Sequence, residues 1–328
     1  MILAIETSCD DTCAAVLDSS GRQALSNVVH TQTEHSRYGG VVPEVASRAH
    51  LERMDGVVEA ALAEAGATLD DVGSVAVTVR PGLIGALLVG VSTAKGIAYA
   101  RRLPLVPVNH LEGHVAAAYL ADPGLEPPFV ALIASGGHTA LYSVGEDGMR
   151  LLGETLDDAA GEALDKGARM LGLGFPGGPA LSKAAEGGDP DRYDFPVGLK
   201  GKADLDFSFS GLKTSLLYKL KAMDADEVSR ELVHLAAGYE AAVVEALVRK
   251  LLRAAELHDA PALVVVGGVA ANGPLRRRLE AEAARLGKGL VVPPPALCTD
   301  NAAMIGAAAA ATPALPFPDY LSLNARSV

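Results

Sequence analysis

The sequence predicts an α/β fold of two duplicated domains, and three observations carry that expectation. Apolar runs of strand length alternate with segments of helix length along nearly the whole chain. A strand, polar loop, strand unit at residues 1–17 returns at residues 129–144. The 328 residues, 49% of them hydrophobic, exceed what one core usually takes up and suffice to bury two.

In the first copy, residues 1–7 are largely apolar, 8–12 form a polar turn, and 13–17 are apolar again. A helix is expected over 45–65, a strand over 72–79, a helix over 83–100 after a Gly-containing turn, and a strand over 104–108. In the second copy, apolar runs at 129–134 and 140–144 flank the SGGHT loop. Residues 155–171 read as a helix ending in GLGFPGGP, and 187–210 as a polar, irregular section. Leu232, Leu235, Ala236, Tyr239, Val243, Ala246 and Leu247 recur at helical spacing, predicting a core-facing helix over about 226–258. A buried strand at 263–266 then runs into Gly267-Gly268, a helix over 272–286 and a last strand at 290–292.

Composition narrows the function classes. Lys and Arg number 28 against 40 Asp and Glu, a net charge of -12, so the chain as a whole repels phosphate backbones and any nucleic-acid contact has to be local or lent by a partner. The start of the chain meets Glu6, Asp10 and Asp11 and lacks the basic, long apolar pattern of a signal peptide. The uncharged stretch at 301–318 approaches membrane-span length, but it is Ala-rich and carries Pro313, Pro316 and Pro318, which predicts a helix and a tail. Cys9, Cys13 and Cys298 form no CxxC pair and suit a reducing compartment, so the cytoplasm is expected.

Three constellations carry chemistry. Ser135, Gly136, Gly137, His138 and Thr139 stand between two strands, where paired glycines let backbone N–H groups line a site for phosphate oxygens; a plain hairpin turn uses glycines too. The matching loop Thr7 to Thr12 in the first copy favours the phosphate reading. Gly267-Gly268 between a strand and a helix leaves space for a flat ring, with Asn272 as a cap or polar contact. In NHLEGH, His110 and His114 at i and i+4 share one helical face, as two ligands of one metal would, although such pairs also occur on ordinary amphipathic helices. Glu112 sits two positions after His110 instead of one, which disfavours a zincin-type protease. The GxGxxG match at Gly172 follows a helix, and Gly211-Leu212-Lys213-Thr214 lacks the adjacent Gly-Lys of a P-loop.

The motifs AIETSCDDT, VPE with SRAH, NHLEGH, SGGHT, GEALDKGARMLGLGFPGGP, FSFSGLKT, GGVAANGPLR and CTDNAAM, in this order over nearly the whole chain, resemble the tRNA N6-adenosine threonylcarbamoyltransferases. The resemblance implies the actin/Hsp70/sugar-kinase (ASKHA) fold, two duplicated domains around a nucleotide cleft. The division expected is 1–108, completed by a C-terminal helix over about 301–328, and 109–300. It implies transfer of threonylcarbamoyl from threonylcarbamoyl-AMP to the adenosine beside the anticodon, with AMP leaving. Carried over by position, it implies His110, His114 and Asp300 as ligands of one divalent metal, iron or else zinc, and Ile133, Ala134, Ser135, Gly136, Gly137, Asp165, Gly178 and Asn272 as substrate-binding residues. Asp11 is the candidate for taking up the amine proton. Implied partners are tRNA, a TsaB-like paralogue docking on the N-terminal domain and a TsaE-like P-loop ATPase. Lys200, Lys202, Lys213 and Arg276 to Arg278 are candidate local tRNA contacts, or simply solvated charges. The chain departs from the family pattern at Arg80, where glycine is usual, at Ala86, where serine is common, and at Ser182, where some members present an aspartate to the substrate ribose. The alternatives are a kinase or another carbamoyltransferase of the same fold, or a noncatalytic nucleotide-binding scaffold.

Overall fold

Ile2–Glu6 (β1) is buried at every position, as a strand covered on both faces must be. It is the middle of the first sheet in a computed structural model that describes residues 1–38, 40–201 and 204–327. β2 (Asp11–Leu17) pairs antiparallel with β1, and β3 (Ala24–Thr31) antiparallel with β2. α1 (Pro43–Glu64) opens on a proline whose missing N–H costs nothing at a helix start. β4 (Ser74–Arg80) then pairs parallel with β1; α2 (Ile84–Arg101), β5 (Leu105–Asn109), parallel to β4, and α3 (His110–Ala121) follow. The strand order is β3-β2-β1-β4-β5, over a core of Leu3, Ile5, Met54, Val75, Val77, Val91 and Tyr320.

The second sheet repeats this plan. β6 (Phe129–Ala134), β7 (Thr139–Gly145) and β8 (Gly148–Glu154) form an antiparallel meander. α4 (Ala160–Met170), α5 (Gly177–Ala184), α6 (Ser210–Lys221) and the long α7 (Ala225–Leu257) precede β9 (Ala262–Val266), which is parallel to β6. α8 (Gly273–Leu286), β10 (Gly289–Val291) and α9 (Pro295–Cys298) complete the unit, with strand order β10-β9-β6-β7-β8. Leu132, Phe207, Tyr239, Leu247, Leu263 and Val265 lie in its core, and the Tyr239 hydroxyl donates to the carbonyl of Ala163 at 2.8 Å. The last helix, α10 (Ala302–Ala309), returns to the first unit, where it packs on α3 and β1.

The chain divides into Met1–Leu125 with Thr299–Val328, and Glu126–Cys298. α3, assigned to the second domain by a division at 108/109, therefore lies in the first, because its apolar face packs on α10, β4 and β5. The C-terminal helix expected to about 328 ends at Ala309, and the tail beyond the prolines has only a 3-10 turn at Asp319–Ser322. The helix expected from 155 starts at Ala160, since Thr155 pairs with Phe207 and its hydroxyl donates to the carbonyl of Asp158. β3, β8, α5 and α6 were not legible. The two strands are half-exposed edges with mixed polarity, and the two helices begin in Gly- and Ser-rich sequence. Among the described residues no helix is long and apolar enough to cross a membrane.

Candidate metal centre and nucleotide-binding loops

In the first unit, the N-terminus of α3 and the segment before α10 supply one cluster. Asn109 caps α3 by accepting from Leu111 N, which places His110 and His114 one turn apart on the same face. Asp300 Oδ1 lies 3.5 Å from His110 Nε2 and 3.3 Å from His114 Nε2, and one potential ligand atom from each residue falls within 4.8 Å of the others. Both imidazoles are buried, and neither His114 ring nitrogen has a hydrogen-bond partner. A fully buried imidazole without a hydrogen bond is costly, and a bound cation is the ordinary remedy. Two imidazoles and one carboxylate with open positions are a donor set that fits one divalent transition-metal ion.

Glu6 stands behind this set. At the end of β1 and wholly buried, its Oε2 accepts from His110 Nδ1 at 3.0 Å and from Thr78 Oγ1 at 2.5 Å, while Ser8 N donates to Oε1. The carboxylate thereby holds the proton on Nδ1 and leaves Nε2 to face Asp300. Burial disfavours the His110 cation, but Asp300 and Glu6 outweigh it and raise the imidazole to about 9. Burial likewise opposes ionisation of Glu6, yet the His110 charge and hydrogen bond hold its carboxyl below the usual range. Sequence reading passes over Glu6, although a lone charge ending a buried apolar strand marks it.

The loop before β2 is pinned by α1: His50 Nε2 donates to the carbonyl of Cys9 at 2.9 Å, which leaves Nδ1 to accept from Thr12 Oγ1 at 2.7 Å. Asp11 opens β2 with Oδ1 buried and unpartnered. Burial raises its carboxyl to about 7, helped by Asp300, Asp10 and Glu6 and opposed by a hydrogen bond with Thr31.

In the second unit, Ile133 and Ala134 are buried positions at the end of β6, directly before the loop. That loop is tight, with Ser135 N donating to the carbonyl of His138 at 2.8 Å and His138 N to Ser135 Oγ at 3.1 Å. A Cβ on Gly136 or Gly137 would meet nothing within 4 Å, so both backbones border open space. Gly161 N donates to the carbonyl of Ser135 at 3.1 Å, and a Cβ there would come within 2.6 Å of that oxygen. Asp165 accepts from Gly177 N at 2.8 Å and Gly178 N at 3.3 Å, so it organises the start of α5; burial raises its carboxyl, against these bonds. Gly267 has φ +91°, and a Cβ would lie 2.5 Å from the carbonyl oxygen of Ala134, so only glycine fits this turn. Asn272 caps α8 by accepting from Leu275 N at 2.9 Å.

The basic candidates separate. Arg276 donates to the carbonyls of Ala270 and Pro293, and Arg278 pairs with Glu245, so both are held internally. Lys202 lies outside the described residues.

The family model described as TsaD, tRNA N6-adenosine threonylcarbamoyltransferase, matches residues 23–307. Proteins of that name are similar over most of their length: one from Syntrophus aciditrophicus is 50% identical over 307 residues, covering 93% of this chain and 90% of its own. One from Anaeromyxobacter dehalogenans is 53% identical over 310 residues, covering 94% and 92%. The chain belongs to this family. Among solved structures, HypF from T. kodakarensis is 15% identical with a TM-score of 0.62, covering 94% of this chain and 46% of that one. Component A of the Acidaminococcus fermentans (R)-2-hydroxyglutaryl-CoA dehydratase is 16% identical with a TM-score of 0.56, covering 95% and 96%. At such identities the likeness bears on the fold alone, which is the ASKHA fold, with the same five-stranded plan in both units.

Proposed function

We propose that this member of the family transfers the threonylcarbamoyl group from threonylcarbamoyl-AMP to the N6 amine of the adenosine beside the anticodon, in tRNAs reading codons that start with A, and releases AMP. Family membership supports the reaction, and the observation that carries the site is the convergence of one ligand atom each from His110, His114 and Asp300 to within 4.8 Å, with neither ring nitrogen of the buried His114 hydrogen-bonded. Iron(II) is the metal this donor set suits best, with zinc the alternative. When bound, such an ion supplies Lewis acidity toward a phosphate or carbonyl oxygen.

The chain's own residues do the rest. The donor is an activated mixed anhydride, so positioning and charge stabilisation matter more than a protein nucleophile. Attack of the amine on the carbamoyl carbon forms a C–N bond and breaks the bond from that carbon to the bridging anhydride oxygen, which departs with the electron pair as part of AMP, its bond to phosphorus intact. Asp11, raised to about 7, takes the amine proton as a base poised near neutrality. In the second unit, the Ser135 to Gly137 backbone and the Gly267-Gly268 turn hold the adenylate, with Asp165 and Asn272 keeping the flanking helix starts in place.

A TsaB-like paralogue docking on the first unit is supported by the exposed Leu51 of α1 and Ile84 and Leu88 of α2. A TsaE-like ATPase enters on the family relationship alone. Three free cysteines support the cytoplasm. The test supplies threonylcarbamoyl-AMP and an anticodon stem-loop, with and without those partners, and detects modified adenosine by mass spectrometry in wild type and His110→Ala. Product from wild type alone supports the reading; no product even with partners overturns it.

A further inference from the structure

α6 carries Lys213, Lys219 and Lys221 and no acidic residue, in a chain whose net charge is -12. Among the described residues no other helix holds three cations without an acid. Leu212 and Leu216 are buried and fix the helix on the core, while Thr214, Leu217, Tyr218 and Lys221, at i, i+3, i+4 and i+7, form its outer face. On that face Leu217 is 40% and Tyr218 66% exposed. Lys213 and Lys221 stand one turn before and one turn after Leu217, about 12 Å apart along the helix axis. Among the described residues only Lys166 and Lys250 form lysine ion pairs, so neither cation of this face is neutralised by the protein. Lys219 is engaged elsewhere, its Nζ lying 5.2 Å from the Phe195 ring centre and 5.8 Å from that of Tyr193. Asp224, the next acid along the chain, is spent on capping α7, where it accepts from Glu227 N at 2.8 Å.

The start of α6 is tied to the SGGHT loop of its own unit. Asp157 Oδ1 accepts from Phe209 N at 2.7 Å and Ser210 N at 3.2 Å, and its Oδ2 from the hydroxyls of Ser208 at 2.6 Å and Ser210 at 2.8 Å. One carboxylate thereby satisfies the donors that a helix start leaves open. Three residues on, Ala160 N donates to Thr139 Oγ1 at 2.8 Å, and Gly161 N donates to the carbonyl of Ser135. The segment 157–161 therefore bonds α6 at one end and the loop at the other, and a molecule docked on α6 is held in register with Ser135 and Thr139. An exposed aromatic ring flanked by free lysines suits an unpaired nucleotide strand, whose bases stack on the ring while its phosphates meet the cations. A duplex offers Tyr218 no free base face.

We propose that the outer face of α6 docks the unpaired anticodon loop of the substrate RNA, with Tyr218 stacking on one base and Lys213 and Lys221 neutralising phosphates on either side. The inference rests on the reading of the protein as a transferase acting on tRNA. It places on one helix the local positive contact that an acidic chain needs for an RNA substrate.

The test measures binding of a fluorescent anticodon stem-loop RNA by anisotropy over a series of salt concentrations, using the full chain with the partner proteins of the transfer assay, and runs that transfer assay on the same preparations. Tyr218→Ala is expected to weaken binding by about 5- to 150-fold with the salt dependence unchanged, and Tyr218→Phe to stay within about threefold of wild type. The double variant Lys213→Gln, Lys221→Gln is expected to lower the slope of log affinity against log salt by about 1.4, the value for two phosphate contacts to a single strand. Both losses appear as a raised KM for the stem-loop with kcat retained at saturating RNA, and AMP affinity is unchanged. A blunt RNA duplex without a loop is bound alike by wild type and Tyr218→Ala. Wild type that binds and modifies the stem-loop while Tyr218→Ala and the lysine variant bind it equally well overturns the role of α6 and leaves the transferase standing, and it does so also where those variants lose a partner protein or a second copy of the chain instead. Wild type that neither binds nor modifies the stem-loop overturns the transferase reading, and the proposal with it.

Discussion

Glu6→Gln tests the metal centre without touching a ligand. The substitution keeps the shape of a side chain that is wholly buried and bonded to His110 Nδ1 at 3.0 Å, but removes the negative charge behind the imidazole. Carboxylate partners of metal-bound histidine typically account for about 10- to 100-fold in metal affinity, or roughly 1.4–2.7 kcal/mol. A second effect opposes the first. His110 is raised to about 9, so at pH 7 a metal must displace its proton, at about 2.7 kcal/mol for two pH units. Removing Glu6 lowers that imidazole and relieves part of this competition. The full loss of affinity is therefore expected at pH 9.5, where wild-type His110 is already largely neutral, and a smaller loss at pH 7. Competition against a chromophoric chelator at both pH values reads the difference, with thermal melting of the metal-free variant as the control for folding. Unchanged or tighter binding at pH 9.5 would refute the assignment of Glu6 to the metal site.

Further outcomes follow from the same geometry. Because His110 is charged in the metal-free protein at neutral pH, metal uptake at pH 7 should release about one proton, seen as a dependence of the calorimetric enthalpy on buffer, and this release should vanish above about pH 10. Asp11→Asn should lower the transfer rate by about 10²- to 10⁴-fold with AMP binding retained, as loss of a general base does. The same variant has a stability signature. Asp11 is raised from 3.8 to about 7, so its contribution to stability is present below pH 4 and is lost as pH rises through 7; metal-free Asp11→Asn should melt above wild type at pH 8, by an amount on the order of a few kcal/mol, and match it near pH 4. Gly161→Ala would push a Cβ to 2.6 Å from the Ser135 carbonyl oxygen, so it should displace the loop, costing about 1–3 kcal/mol by thermal melting and at least about tenfold in AMP affinity.

The periodicities that define β1, β4, β6, β9, α2 and α7 are local, because burial on one helical face or on both faces of a strand is written into consecutive residues, and the sequence alone determined these elements and the repetition of the two sheets. It also determined the chemistry on offer, two histidines at i and i+4 and glycines at two strand ends, since those spacings are set by backbone geometry. Edge strands β3 and β8 escaped because one-sided cover leaves their pattern mixed. The folded chain alone decided which distant groups meet. Glu6 and His110 are 104 positions apart, and Asp300 joins them only because α10 packs against α3 and β1. Asn272 reads as a cap in the sequence, but its second task, holding Glu240 of α7 and Ser182 of α5, has no local signature. A charge's partner and the direction of its pKa shift depend on packing between elements remote in the chain, and no periodicity records that packing.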